Sequence, residues 1–83
     1  MPKIPRDLSG KEFAALLEQF GYRITRQTGS HIRLTNNTGD KEHHITIPDH
    51  APLKIGTLNA IIRDIAGYLK MDRQVFIQKL LKH

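Results

Sequence analysis

The 83-residue sequence predicts a two-layer α+β domain, in which helices cover one face of a small antiparallel sheet. Two observations lead to this prediction. Apolar residues recur at helical spacing near both ends of the chain, but at every second position in runs between residues 22 and 47. The links between the alternating runs are short, which favours antiparallel pairing because a parallel connection needs a long crossover. The predicted order is α-β-β-β-α with an extra C-terminal helix, in one domain over residues 1–83.

The first helix is predicted to begin at Ser9. Ser9 and Glu12 have the spacing of a capping box, in which each side chain accepts a hydrogen bond from the other residue's backbone N–H. The residues at the i, i+3, i+4 and i+7 spacing of one buried face are Phe13, Leu16, Leu17 and Phe20. Gly21 is a typical C-terminal stop.

Three strands are predicted from the alternation of apolar and polar residues. The apolar pairs are Tyr22 and Ile24, Ile32 and Leu34, and Ile45 and Ile47. The segments 28–30 and 36–40 are the predicted turns. With the apolar residues facing the helices, the residues predicted on the open face include His31, Arg33, His44 and Thr46. His43 is then expected on the inner face, near its rim.

Two further helices are predicted after a loop that Pro48 and Pro52 bracket. The second helix starts near Gly56-Thr57, and its inner stripe consists of Leu58, Ile61, Ile62, Ile65 and Leu69. Because Gly67 interrupts this pattern, the sequence does not fix the residue at which the helix ends. Asp72 is predicted to cap the third helix, in which the i, i+4 pairs are Phe76 with Leu80 and Ile77 with Leu81.

The composition narrows the function classes. Thirteen Lys and Arg stand against eight Asp and Glu, for a net charge of +5 and a pI near 9.9. Such a balance is typical of nucleic-acid binding, although a basic surface that only keeps the protein dissolved has the same charge. The absence of cysteine excludes disulfides, thiolate nucleophiles and cysteine-ligated zinc. Without a membrane-spanning run, and with no apolar leader in residues 1–6, the expected location is the cytoplasm.

His31 is the leading candidate for a chemical role. It directly follows Gly29-Ser30, so a turn there holds the imidazole at the start of a strand. Histidine both takes and gives a proton near neutral pH. The alternative is a solvated surface histidine. A metal site at His43, His44 and His50 is a further alternative, but adjacent residues of a strand point in opposite directions, which separates His43 from His44.

A second feature is Lys54 beside the predicted helix start. A helix N-terminus presents free N–H groups that suit a phosphate, and Lys54 adds a positive charge. The alternative is that Thr57 caps the helix and Lys54 is solvated. The two interpretations are compatible, and the sequence leaves both open.

Three segments resemble the signature of HicA-type toxins: 26–31 (RQTGSH), 47–50 (IPDH) and 53–58 (LKIGTL). The resemblance runs from the first helix to the last. It implies a double-stranded-RNA-binding-like fold, ribosome-independent endoribonuclease activity on mRNA, and control by a HicB-type antitoxin. The catalytic residue implied is the histidine after Gly-Ser, here His31. The family often has an aromatic residue or histidine at the next position, where this chain has Ile32.

The functional hypothesis is RNA cleavage without metal or cofactor, with His31 as general acid or base. The residues expected to contact RNA are Arg26, Ser30, Arg33, His44, Lys54 and Thr57. His44 is also the candidate for a second proton-transfer group. The alternative is a basic RNA-binding module without catalysis. A third hypothesis is an interaction protein whose open sheet face is covered by a partner.

Overall fold

The structure, a computed structural model, describes residues 7–82. Residues 1–6, in which no leader is predicted, lie outside the described residues. The chain forms, in order, α1 (Gly10–Leu17), β1 (Tyr22–Thr28), β2 (His31–Asn36), β3 (His43–Pro48), α2 (Ile55–Leu69) and α3 (Arg73–Leu81). The predicted α+β architecture is confirmed: the three strands form one antiparallel sheet in the order β1-β2-β3.

Helix α1 begins as its capping residues predict. The Ser9 Oγ accepts a hydrogen bond from the Glu12 N–H, and the Glu12 carboxylate accepts one from the Ser9 N–H, both at 3.0 Å. Phe13 and Leu17 are fully buried. The α-helix ends at Leu17, earlier than the apolar spacing predicts, and a 3-10 turn leads to Gly21, whose φ of +96° reverses the chain.

The hydrophobic core lies between the sheet and the helices. Ile32 pairs with Ile47 and Leu34 with Ile45, so the two central apolar pairs share the inner face, as predicted. These residues form a common cluster with apolar residues of all three helices, among which the buried ones include Phe13, Leu58, Ile62, Phe76 and Leu80.

Ile24 is an exception to the predicted inner face. It lies opposite the buried Leu34 on the same side of the sheet, yet 47% of its surface is exposed. The helices cover β1 only at its start, where Tyr22 is buried, and leave the rest of the strand exposed, whereas the other edge strand, β3, has its inner residues Ile45 and Ile47 buried. The prediction that Ile24 belongs to the core is therefore wrong.

Helix α2 starts earlier than predicted. Its first residue is Ile55, Lys54 is the N-cap, and no side chain caps the helix. Thr57 therefore lies inside the first turn, and the interpretation of Thr57 as the cap is wrong. Gly67 lies within the helix, whose last residue is Leu69, and the C-cap Lys70 has a left-handed conformation with φ of 54°.

Helix α3 is capped as predicted. The Asp72 carboxylate accepts hydrogen bonds from the backbone N–H groups of Gln74 and Val75. The helix is held against the rest of the chain by the rings of Phe20 and Phe76, whose centroids are 4.8 Å apart. Among residues 7–82, no helix combines the length and apolarity needed to cross a membrane.

Candidate active site beside the Gly29-Ser30 turn

The tight turn between β1 and β2 places His31 at the start of β2. Gly29 has φ of +51°, which suits a two-residue hairpin turn, and Thr28 and His31 pair directly across it. Because Ile32 and Leu34 point into the core, His31 points to the opposite side of the sheet and is exposed. The Ser30 Oγ lies 3.4 Å from His31 Nδ1, so the hydroxyl is within reach of the imidazole.

Two arginines lie next to His31 on this side of the sheet. Arg33 is two residues along β2, and Arg26 of β1 is its direct partner. The pairing depends on a bulge: the register shifts between Ile24 and Arg26, which leaves Thr25 as the extra residue. The Thr25 hydroxyl lies 3.0 Å from that of Thr35, so the bulge adds a second polar residue to the outer side.

Arg23 is the third arginine of this surface. It pairs with Thr35 and is exposed. We keep the name open face for the outer surface of the sheet, which is formed by Arg23, Arg26, His31, Arg33, Thr35, His44 and Thr46. The three strands contain no Asp or Glu, and the Glu42 carboxylate lies at the His44 end, so the part of this face that holds His31 and the arginines favours an anionic ligand. Arg23 was not among the predicted site residues. The alternation with Tyr22 was the signal in the sequence, because it places Arg23 on the outer side of the sheet.

His44 shares the open face but lies away from His31. It pairs with Thr35, whereas the partner of His31 on β3 is Pro48, four positions further along. Four strand residues span about 13 Å. Both ring nitrogens of His44 have neighbours: Nδ1 lies 2.9 Å from the Thr35 hydroxyl and Nε2 lies 2.8 Å from a Glu42 carboxylate oxygen. His44 is thus held by other partners and is too far along the sheet to share one reacting group with His31.

A groove begins at Pro48, the partner of His31 on β3. It has a volume of about 510 Å³ and is lined by Pro48, His50, Pro52, Leu53, Lys54 and Thr57. Pro48 belongs both to this groove and to the strand pair with His31. The fold therefore brings together the three segments that sequence reasoning singled out, around one end of the sheet. We call this cavity the proline groove.

Backbone hydrogen bonds hold the segment that forms the proline groove. The Asp49 N–H donates to the Ser30 carbonyl at 2.7 Å, which ties the segment to the turn before His31. The His50 carbonyl accepts from the Gly10 N–H at 2.9 Å, and the Leu53 N–H donates to the Leu8 carbonyl at 2.8 Å. The segment is thus fixed to the start of α1 at two points.

His43 has a structural environment, on the inner rim as predicted. Its ring stacks on Tyr68 with 4.6 Å between centroids, its Nδ1 lies 2.7 Å from the Tyr22 hydroxyl, and its Nε2 lies 3.3 Å from Asp64 Oδ1. Burial, and then the nearby Tyr68 and Asp64, raise the pKa of Tyr22 well above its usual value. In the part of the chain that the structure describes, no three His, Asp or Glu side chains are grouped as metal ligands.

Most of this chain matches a known protein family. The family model described as the HicA toxin of bacterial toxin-antitoxin matches residues 10–66, from the start of α1 through most of α2. The match covers more than half of the chain. This protein belongs to the HicA toxin family. Searches of curated proteins and of solved structures gave no match.

Membership makes this protein the toxin of a toxin-antitoxin pair, with a cognate antitoxin as its partner. The matched region of this HicA toxin includes the Gly29-Ser30 turn, the open face and the proline groove, whereas α3 lies outside it. Chemically, the site combines an exposed imidazole with guanidinium groups on one surface. An imidazole moves protons, and guanidinium groups bind phosphate through paired N–H donors.

Proposed function

We propose that this HicA toxin is an endoribonuclease that cleaves mRNA, with His31 as the proton-transfer group. The observation that carries the proposal is the position of His31: it is exposed at the head of β2, two residues from Arg33 and beside the proline groove. In the proposed reaction the 2′-hydroxyl oxygen attacks phosphorus and the bond from phosphorus to the 5′ oxygen breaks. One proton leaves the 2′-hydroxyl and one ends on the 5′ oxygen.

His31 serves one of these two proton transfers, and water serves the other. A positioned acid or base contributes about 10²- to 10⁴-fold to the rate. Arg33 and Arg26 stabilise the negative charge that develops on the phosphate oxygens, because guanidinium donors held on a rigid sheet need little reorganisation. Ser30, Lys54 and Thr57 contact RNA next to this centre, and His44 contacts it further along the open face.

The experiment that tests the proposal compares RNA cleavage by the wild type, His31→Ala and His44→Ala in the presence of EDTA. We expect His31→Ala to lower kcat by about 10²- to 10⁴-fold. His44→Ala is the matched change on the same surface, and we expect it to raise KM with little effect on kcat. Both residues are exposed, so thermal unfolding of the variants checks that the fold is retained.

Two outcomes of this experiment would contradict the proposal. Equal cleavage by the wild type and His31→Ala removes His31 from the mechanism. Intact RNA, together with binding that weakens steeply with salt, identifies a binding module without catalysis. In cells, we expect induced expression to arrest growth, and either His31→Ala or co-expression of the proposed HicB-type antitoxin to relieve the arrest.

A further inference from the structure

We infer that the proline groove is a nucleotide subsite that holds the base next to the cleaved phosphate and sets a base preference. This inference rests on the proposed function, since it places the RNA strand with its reacting phosphate at His31. It goes further by assigning a ligand to the groove and a specificity role to His50 and Thr57, which line it.

The position of the groove relative to His31 is the first argument. Directly paired residues of neighbouring antiparallel strands have Cα atoms about 4.5–5.5 Å apart. Pro48 is the partner of His31 and also forms one wall of the groove. The groove therefore begins one strand away from His31, at its direct partner.

The lining matches the chemistry of a base. Pro48 and Pro52 supply apolar surface for the flat face of a ring, and the exposed His50 imidazole supplies a stacking partner, whereas Leu53 is buried beneath them. The Thr57 hydroxyl donates and accepts hydrogen bonds, as the polar edge of a base requires. A volume of about 510 Å³ lies within the range of roughly 300–1,000 Å³ typical of small-ligand sites.

The positive charge at the rim of the groove favours a nucleotide as the ligand. Lys54 is exposed at its rim and provides a cation for a phosphate oxygen of the nucleotide whose base enters the cavity. Asp49 is the neighbouring carboxylate, and its Oδ2 lies 3.9 Å from Lys11 Nζ, which offsets its charge. A single-stranded RNA fits this combination, because its unstacked bases are free to leave the strand and enter a cavity.

Backbone hydrogen bonds fix the wall of the groove. The backbone hydrogen bonds from Asp49 to Ser30, from Gly10 to His50 and from Leu53 to Leu8 hold both ends of its wall. Because this backbone is already held in place, a base that enters the groove has only side chains to order, which lowers the cost of binding. The expected preference is therefore measurable as a change in KM.

The test uses single-stranded oligonucleotides that carry one abasic site at each position flanking the cleaved bond. With the wild type, we expect one abasic position to raise KM about tenfold, the effect of losing one stacked base. His50→Ala and Thr57→Val should each raise KM for the intact oligonucleotide. Neither variant should change KM for the oligonucleotide that lacks the base at that one position. Gln78→Ala, an exposed change on α3, is the control that leaves all values unchanged.

The same oligonucleotides are also bound to His31→Ala protein and measured by fluorescence anisotropy, which needs no cleavage. If the wild type does not cleave RNA, the proposed function fails, and the anisotropy data still decide whether the groove binds a base. If every abasic oligonucleotide behaves like the intact one, the groove takes no base and the inference is overturned. An abasic effect that His50→Ala and Thr57→Val leave unchanged overturns it as well, because the base then binds elsewhere.

Discussion

Replacing Gly10 with alanine tests how tightly α1 supports the candidate site. Gly10 is the first residue of α1, and a Cβ added to it lies 2.1 Å from the Pro48 carbonyl oxygen and 3.1 Å from the Pro48 carbonyl carbon. The Gly10 N–H donates to the His50 carbonyl, so the two backbones cannot separate without losing that hydrogen bond. Gly10→Ala therefore displaces either α1 or the wall of the proline groove.

The expected loss of stability follows from two opposing terms. A carbon and a carbonyl oxygen normally approach to about 3.3 Å, so the contact must open by roughly 1 Å. Overpacking of this kind costs about 1–3 kcal/mol. Alanine gains about 0.5–1 kcal/mol over glycine in a helix. The net loss is about 1–2 kcal/mol, which lowers Tm by roughly 5–15 °C for a chain of this size.

Gly67→Ala is the matched control. Gly67 lies within α2, and a Cβ there meets no atom within 4 Å. The same substitution should thus stabilise the protein by about 0.5–1 kcal/mol. Thermal and urea unfolding give the stability of both variants, and the rate of RNA cleavage at a temperature below Tm shows whether the candidate site is intact. We expect Gly10→Ala to reduce cleavage because the added Cβ meets Pro48, which is the strand partner of His31. A Gly10→Ala protein as stable and as active as the wild type refutes the close packing of α1 against the groove.

Three further predictions concern stability. Asp72→Ala removes the cap of α3 and should cost about 1 kcal/mol in urea unfolding, while an unchanged midpoint contradicts the cap. Leu34→Ala should lower the free energy of unfolding by about 2–5 kcal/mol because Leu34 is buried. Ile24→Ala changes the partner of Leu34 on β1 and should cost less than about 1 kcal/mol because Ile24 is exposed. Equal losses would contradict the exposure of Ile24. The free energy of unfolding should fall as pH rises above about 10, because the unfolded chain then loses the Tyr22 proton that the folded state retains. Tyr22→Phe should reduce this pH dependence, as measured by urea unfolding between pH 8 and 11. If the free energy of unfolding of the variant falls with pH as steeply as that of the wild type, other groups cause the dependence.

Helix starts were predictable where local contacts decide them. Ser9 with Glu12 and Asp72 with the following N–H groups satisfy donors only two or three residues away, so their sequence spacing is sufficient. The start of α2 was not predictable in this way. Its N-cap, Lys54, makes no capping hydrogen bond through its side chain, and Leu53 before it is positioned by a hydrogen bond to the distant Leu8.

The sequence by itself determined that His31 points away from the core, because strict alternation with Ile32 and Leu34 leaves one choice of face. The tertiary structure decided what lies around it. The bulge at Thr25 brings Arg26 opposite Arg33, and the strand register sets Pro48, not His44, beside His31. These relations depend on pairing between residues that are distant along the chain. Local preferences do not specify such pairing, whereas the packing of both strands on one core does.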